Sequence, residues 1–489
     1  MRNLPTIRVS LWFIFIALAC LPFADLEITT LSSSVEMGRM AEGFLNLQTS
    51  YLLGLGTALV NTLAFAFAGV ALGSVVGFGL ALLFRFRIIR WCSAATRAVH
   101  ELFWALLFLQ FLGLHPITGI LALALPYGAI FAKVYAEIID ETDPSPLDSL
   151  PVGTSHVASF MFVRLPEAWT QIVQYTAYRL ECGIRSSAVL GFVGLPTMGF
   201  HLESFFSQGL YAEAWTLLIA FFILIATLRY WVRPVLIPIY VVAAFWLLWP
   251  EVGISIENVL RFFQEDILPA PIRQGLPIGE LSIWIRNLFL QEALPGAFAT
   301  VVLTQIALVA AGVLTLAVFP LVTQRLVGWY GSKVGHLVLV VMRSTPEYVL
   351  AYIFLLWWGP SMLPAVVALA IHNSAIIGHL IGRQADQLPM RVDATTGLNL
   401  YGYELVPRLY GRFLALLFYR WESILRETAI LGILGIQTLG FFVDSSMQDI
   451  RIDRALILIG FTALLNIAVD AFSRKLREGL RLSVHASEI

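Results

Sequence analysis

Two neighbouring stretches decide how this chain is read. The first is Asp148-Ser-Leu-Pro-Val-Gly153-Thr-Ser-His-Val-Ala-Ser-Phe160-Met-Phe-Val163-Arg-Leu165-Pro166. The second is Tyr178-Arg-Leu-Glu181-Cys-Gly-Ile-Arg185-Ser-Ser-Ala-Val-Leu-Gly191-Phe-Val-Gly194. The first is a short polar helix-turn-helix pattern between two long apolar segments. Backbone in such a break cannot go without partners in hydrocarbon, so it must lie outside a bilayer. The second begins inside the following apolar helix and carries Glu181 and Arg185 four residues apart, on one helical face.

The surrounding chain is built for a membrane. Of 489 residues, 58% are hydrophobic and 13% are charged, with a mean hydropathy of +0.81. A soluble domain carries about 25% charge. Many apolar runs reach the ~20 residues that a helix needs to span a bilayer. The fold class is therefore all-α, polytopic and membrane-embedded. The net charge of −1 gives no bulk attraction to nucleic acid. Cys20, Cys92 and Cys182 lie far apart, in or beside apolar segments. That spacing fits neither a metal site nor a disulfide framework, and they read as buried small hydrophobes.

The pattern predicts twelve helices: 9–26, 51–84, 92–112, 116–139, 170–193, 212–231, 234–250, 293–326, 334–358, 362–383, 413–435 and 454–472. The first reads as an uncleaved helix behind a short basic start. Polar segments at 25–50 and 251–291 read as external loops, and those at 140–168 and 384–412 as internal ones.

The second stretch recurs. Tyr178-Arg-Leu-Glu181, Arg185, Ala188-Val-Leu-Gly191, Gly194 and Gly199-Phe200 return as Tyr419-Arg-Trp-Glu422, Arg426, Ala429-Ile-Leu-Gly432, Gly435 and Gly440-Phe441. Every pair is offset by 241, as 178 is from 419. Upstream, Gly113 and Ala122-Leu-Ala124 match Gly359 and Ala368-Leu-Ala370 at an offset of 246. Six helices per copy, an even number, predicts a parallel repeat about an axis along the membrane normal. The units expected are an N-terminal helix and loop (1–50), repeat 1 (52–232), a linking helix and loop (233–291), repeat 2 (292–475) and a tail (476–489). Placing both termini in the cytoplasm puts Arg85, Arg87, Arg90, Arg229, Arg233, Arg325, Lys333, Arg474 and Lys475 inside, as the positive-inside rule favours.

The spacing from Gly153 through Phe160 and Val163 to Leu165-Pro166 resembles the EAA loop of ABC importer permeases. Tyr178-Arg-x-Glu181-x-x-x-Arg185 with Val189-Leu-Gly191 resembles the phosphonate-importer permeases among them. Leu147-Asp148-Ser149 stands where that loop has Glu-Ala-Ala. The resemblance covers about 52–232 and 292–475. It implies two permease units of the type I ABC fold fused in one chain of a bacterial inner membrane. The load would be a phosphonate, phosphite or phosphate. The implied partners are a cytoplasmic ABC ATPase in two copies and a periplasmic or external substrate-binding protein, with no cofactor in this chain. In the loop, Phe160, Val163 and Leu165 would give an apolar face, Gly153 a turn, and Pro166 a stop; Asp148 precedes them. The second copy departs from the pattern. Gly397 to Pro407 is three residues shorter than Gly153 to Pro166, and a Gly397 anchor puts Tyr410 at the proline position.

Glu181/Arg185 and Glu422/Arg426 are candidates for the translocation path or its gate. Charged groups inside membrane helices are rare and face a bundle interior. Arg185 and Arg426 either meet an anionic substrate or form structural pairs with their glutamates. His372-Asn373 lies in mid-helix, either lining the path or hydrogen-bonding between helices. No Gly-x4-Gly-Lys-Ser/Thr loop, His-Glu-x-x-His or Gly-x-Ser-x-Gly occurs, so ATP would be used by another chain. The competing readings are a fused permease for ferric iron or an amino acid, and an ion-coupled carrier or membrane enzyme.

Overall fold

A computed structural model describes residues 4–29, 33–49, 52–143, 145–151, 153–233, 235–249, 253–391, 393, 395–480 and 482. The main helices are α1 (Leu4–Cys20), α2 (Leu52–Leu82), α3 (Arg87–Ala98), α4 (Glu101–Leu112), α5 (Pro116–Asp140), α6 (Leu165–Val189), α7 (Met198–Ser207) and α8 (Tyr211–Trp231). After these come α9 (Leu294–Val318), α10 (Gln324–Ser344), α11 (Glu347–Trp358), α12 (Met362–Gln387), α13 (Val406–Ile433), α14 (Leu439–Gln448) and α15 (Ile452–Gly479). No strand occurs among the described residues.

Seven helices among the described residues are long and apolar enough to cross a membrane, or nine if each of two bent pairs is one crossing. This supports an all-α polytopic chain but falls short of twelve crossings by this measure. Three of the expected spans account for the difference. The span expected at 92–112 divides, because Val99 and His100 are extended and His100 Nδ1 caps α4 by accepting the Leu102 amide at 3.1 Å. The span expected at 234–250 is helical only over Ile237–Leu247. The span expected at 413–435 lies in α13, whose six charged residues keep it from reading as apolar. A further correction is at 334–358, where α10 and α11 meet at 88° around Thr345-Pro346; proline offers no amide to carry the helix through. The polar segment 251–291 is also more ordered than a loop. Helix Ile278–Leu288 continues through a π-helical turn into α9. Cys92 is exposed, and Cys20 and Cys182 are half-buried, against the expectation of burial.

The chain forms two compact units, residues 40–264 and residues 1–39 with 265–489. In the first of these, α2 lies along α5 through Gly69, Gly73 and Gly77, spaced four apart. A Cβ at Gly69 would come within 2.7 Å of the Leu123 Cβ, and one at Gly77 would collide with Phe131. Small residues at this spacing let membrane helices approach closely, which gains dispersion contacts where no hydrophobic drive exists. In the other unit, α1 docks on α9 and α13. Phe13 packs 5.0 Å from Phe418 and 5.1 Å from Trp421, and Gln305 Nε2 donates to the Phe13 carbonyl at 3.1 Å.

Each unit holds a matching corner after its long polar helix. Gly194 (φ +91°) and Gly435 (φ +88°) take the left-handed turn that glycine permits. The next helix starts with a capped amide: Met198 N–H donates to Thr62 Oγ1 at 2.9 Å, and Leu439 N–H donates to Thr300 Oγ1 at 3.0 Å. Gly199 and Gly440 then press on the carbonyls of Ala188 and Ala429, where a Cβ would collide.

Candidate functional site: two loops and two polar clusters

The first loop is a sequence of short, capped turns. Its Asp143 carboxylate accepts the Ser145 hydroxyl at 2.6 Å and the Ser145 amide at 2.9 Å. Those bonds hold the Asp143 carboxyl below its usual range. Asp148 ends the turn Ser145–Asp148, and its side chain lies outside the described ones. Gly153 has φ +98° with open space around it, so backbone conformation rather than crowding calls for glycine there. Ser155 caps the turn His156–Ser159 by accepting the Ala158 amide at 3.2 Å. A π-helical turn, Phe160–Arg164, then runs into α6, with Pro166 in its first turn. Phe160, Val163 and Leu165 are half-buried. Beside them Phe162 is 82% exposed and Val157 73% exposed, the most exposed apolar side chains described in this loop.

The second loop settles the register left open between Gly397 and Tyr410. Gly397 again has positive φ, +64°. A π-helical turn, Leu400–Leu405, leads into α13 with Pro407 in its first turn, as Pro166 stands in α6. The proline anchor therefore holds, and the three missing residues come from the turn before it. Tyr410 lies within α13, and its hydroxyl donates to Ser10 Oγ at 2.7 Å. This loop is braced by charge: Glu404 pairs with Arg391 at 3.4 Å and Arg408 at 3.2 Å, and Arg325 donates to the Leu388 carbonyl at 2.7 Å. Leu398 and Tyr403 are its exposed apolar side chains, at 87% and 81%.

Glu181 and Arg185 on α6, and Glu422 and Arg426 on α13, are half-buried, and all four engage neighbouring groups. A further connected cluster lies on α13. Arg420 Nε donates to Asn373 Oδ1 at 2.7 Å, and Arg420 Nη2 reaches Glu427 Oε1 at 3.0 Å. Asn373 Nδ2 closes the ring on Glu427 Oε2 at 3.1 Å. His372 faces the bend: its Nδ1 is 3.1 Å from the Thr345 carbonyl and its Nε2 is 3.8 Å from Glu347. Both His372 and Asn373 are fully buried, and each contact they make here joins α12 to α13 or to the α10–α11 bend. Arg420 and Glu427 stand seven residues apart, two turns along one face. A search for charges four apart passes over that spacing.

The first copy has a counterpart with serine in place of one glutamate. At the same offsets, Arg179, Ser186, Tyr127 and Glu101 stand for Arg420, Glu427, Asn373 and Glu347. Ser186 Oγ donates to Glu101 Oε1 at 2.6 Å and lies 3.2 Å from the Tyr127 hydroxyl. The Arg179 guanidinium carbon lies 4.9 Å from the centre of the Tyr127 ring, a cation–π arrangement.

The chain is similar to import permeases for phosphate and phosphite. It is 23% identical over 484 residues to a phosphate-import permease protein of Mycolicibacterium smegmatis, covering 87% of this chain and 86% of that one. It is 32% identical over 146 residues to a putative phosphite transport system permease protein of Stutzerimonas stutzeri, covering 30% of this chain and 56% of that one. A second phosphite transport system permease protein of that organism is 28% identical over 152 residues, covering 30% of this chain and 55% of that one. No protein-family model and no solved structure matches the chain.

Proposed function

We propose that this chain is the membrane permease of an ATP-driven importer, two permease units fused in one polypeptide, that moves a phosphorus oxyanion inward across a bacterial inner membrane. One observation carries the reading: similarity to a phosphate-import permease extends over 87% of the chain, through both copies of the repeat. The shorter matches to phosphite permeases name the same class of solute. Repeat 1 is taken as 52–232 and repeat 2 as 292–475, related by an axis along the membrane normal, with twelve crossings in all and both termini in the cytoplasm.

In this reading the loops around Gly153 and Gly397 dock on two copies of a cytoplasmic ATPase. Phe162 and Val157, then Leu398 and Tyr403, form the docking knobs, because they are exposed on otherwise braced turns. Phe160, Val163, Leu165 and Pro166 seat those turns on α6, and Pro407 does so on α13. Glu181, Arg185, Glu422 and Arg426 belong to the path or its gate. His372 and Asn373 fasten α12 to its neighbours as part of that gate. ATP is hydrolysed on the separate chain, and a periplasmic binding protein delivers the solute.

The deciding experiment is uptake. The purified chain is reconstituted in liposomes with the ATPase and binding protein encoded beside it, and labelled methylphosphonate, phosphite and phosphate are offered. ATP-dependent accumulation of at least one is expected. Accumulation of ferric iron or an amino acid alone would overturn the solute class. Uptake of any solute without the ATPase would overturn the mechanism.

A further inference from the structure

The two copies carry an arginine at the same place in the repeat and use it differently. On α13, Arg420 is consumed: its Nε–H donates to Asn373 Oδ1 and Glu427 balances its charge at 3.0 Å. On α6, the matching Arg179 has no such partner among the described residues. The position equivalent to Glu427 is Ser186, whose hydroxyl is given to Glu101. The position equivalent to Asn373 is Tyr127, which offers a ring face at 4.9 Å. Arg179 Nε is buried and lacks a hydrogen-bond partner. Its guanidinium rests on the Tyr127 ring, and among the described residues it makes no ion pair with a carboxylate.

From this asymmetry we infer that Arg179 is the side chain of this permease that contacts the phosphorus oxyanion in passage, and that Arg420 is a structural latch. The inference rests on the reading of the solute given above. A cation on a membrane helix without a carboxylate beside it is costly to keep, and such groups mark ion and substrate pathways. The guanidinium fork matches two oxygens of a phosphonate or phosphate and binds them bidentately. The Tyr127 ring face holds the cation in place without neutralising it, so its full charge is left for a ligand. Arg420 can take an anion only by giving up Glu427, which would then stand buried and alone.

The test uses the full chain with its ATPase and binding protein in liposomes, and labelled methylphosphonate. Arg179→Met keeps the side-chain length and the packing among the tyrosines. The melting temperature should hold while uptake falls by about tenfold or more, the size expected for one lost charge-assisted hydrogen bond. Arg179→Lys should recover part of that loss. A stable Arg179→Met protein that transports at the wild-type rate overturns the inference while leaving the importer reading intact. Failure of the wild-type complex to accumulate any phosphorus oxyanion removes the reading itself. A second measurement does not depend on a folded variant: phenylglyoxal labelling of the wild-type complex during turnover, mapped by mass spectrometry. Methylphosphonate should protect Arg179 and leave Arg420 unchanged; equal labelling of Arg179 with and without methylphosphonate goes against the inference.

Discussion

Arg420 and Glu427 stand two helical turns apart on one helix and meet at 3.0 Å, with Asn373 of a neighbouring helix bonded to both. The ring they form is sheltered from water, Glu427 being 9% exposed. Breaking it from one side should be expensive. Arg420→Ala leaves a lone carboxylate and should lower stability by about 3–5 kcal/mol, less where Glu427 takes up a proton. The double change R420M/E427L should recover most of the loss. Thermal melting in detergent reads both; equal stability of the single and double variants would show that the ring is not the source of the cost.

The corners should be sensitive to a single methyl group. Gly199→Ala and Gly440→Ala drive a Cβ into the Ala188 and Ala429 carbonyls. Each should cost about 1–3 kcal/mol, the range for overpacking. Gly79→Ala on α2, with open space at its Cβ, should be neutral or stabilising by up to ~1 kcal/mol through helix propensity. The three melting curves side by side check this. A Gly199→Ala protein as stable as wild type would mean the corner relaxes freely.

Docking of the ATPase should depend on side chains that the fold does not need. Phe162→Asp changes an 82% exposed residue, so insertion and melting should be unchanged while ATPase co-purification is lost. Tyr403→Asp should do the same in the second loop. Gly153→Val should act through the backbone, since φ +98° is strained for a β-branched residue. Full co-purification with both Phe162→Asp and Tyr403→Asp in one chain would remove the loops from the coupling role.

Topology is open to direct measurement. Reporters fused at Ser145 and Gln387 should read cytoplasmic, and a reporter at Gln264 should read external. Both loops on opposite sides of the membrane would end the parallel-repeat reading.

Much of this was legible from residues, and the limits are instructive. The offset of 241 located the corner glycines, and the structure shows why they recur: Gly194 and Gly435 need positive φ, and Gly199 and Gly440 need the absence of a side chain. Hydropathy located α2, α5, α9 and α12. It missed the break at Val99-His100, because the cap between the amphipathic α3 and the apolar α4 is a single histidine. It also missed the close pairing of α2 and α5, although Gly69, Gly73 and Gly77 carry that signal at a spacing of four. The candidate pairs four residues apart drew attention from Arg420 and Glu427, which meet directly at a spacing of seven. Their bonds to Asn373, on another helix, are a tertiary relationship that no local spacing encodes.

Position 186 holds serine and position 427 holds glutamate, although the two occupy the same place in a repeated pattern. In a permease assembled from two identical chains, one codon specifies both places, and a mutation that creates an acidic partner for one arginine creates it for the other. Here each place has its own codon. The two sides can therefore drift apart under separate selection, one toward a neutral serine and the other toward a fixed charge, with no compromise enforced between them. Joining the copies in one reading frame gives each half an independent genetic history, and the unlike surroundings of Arg179 and Arg420 are the physical record of that independence.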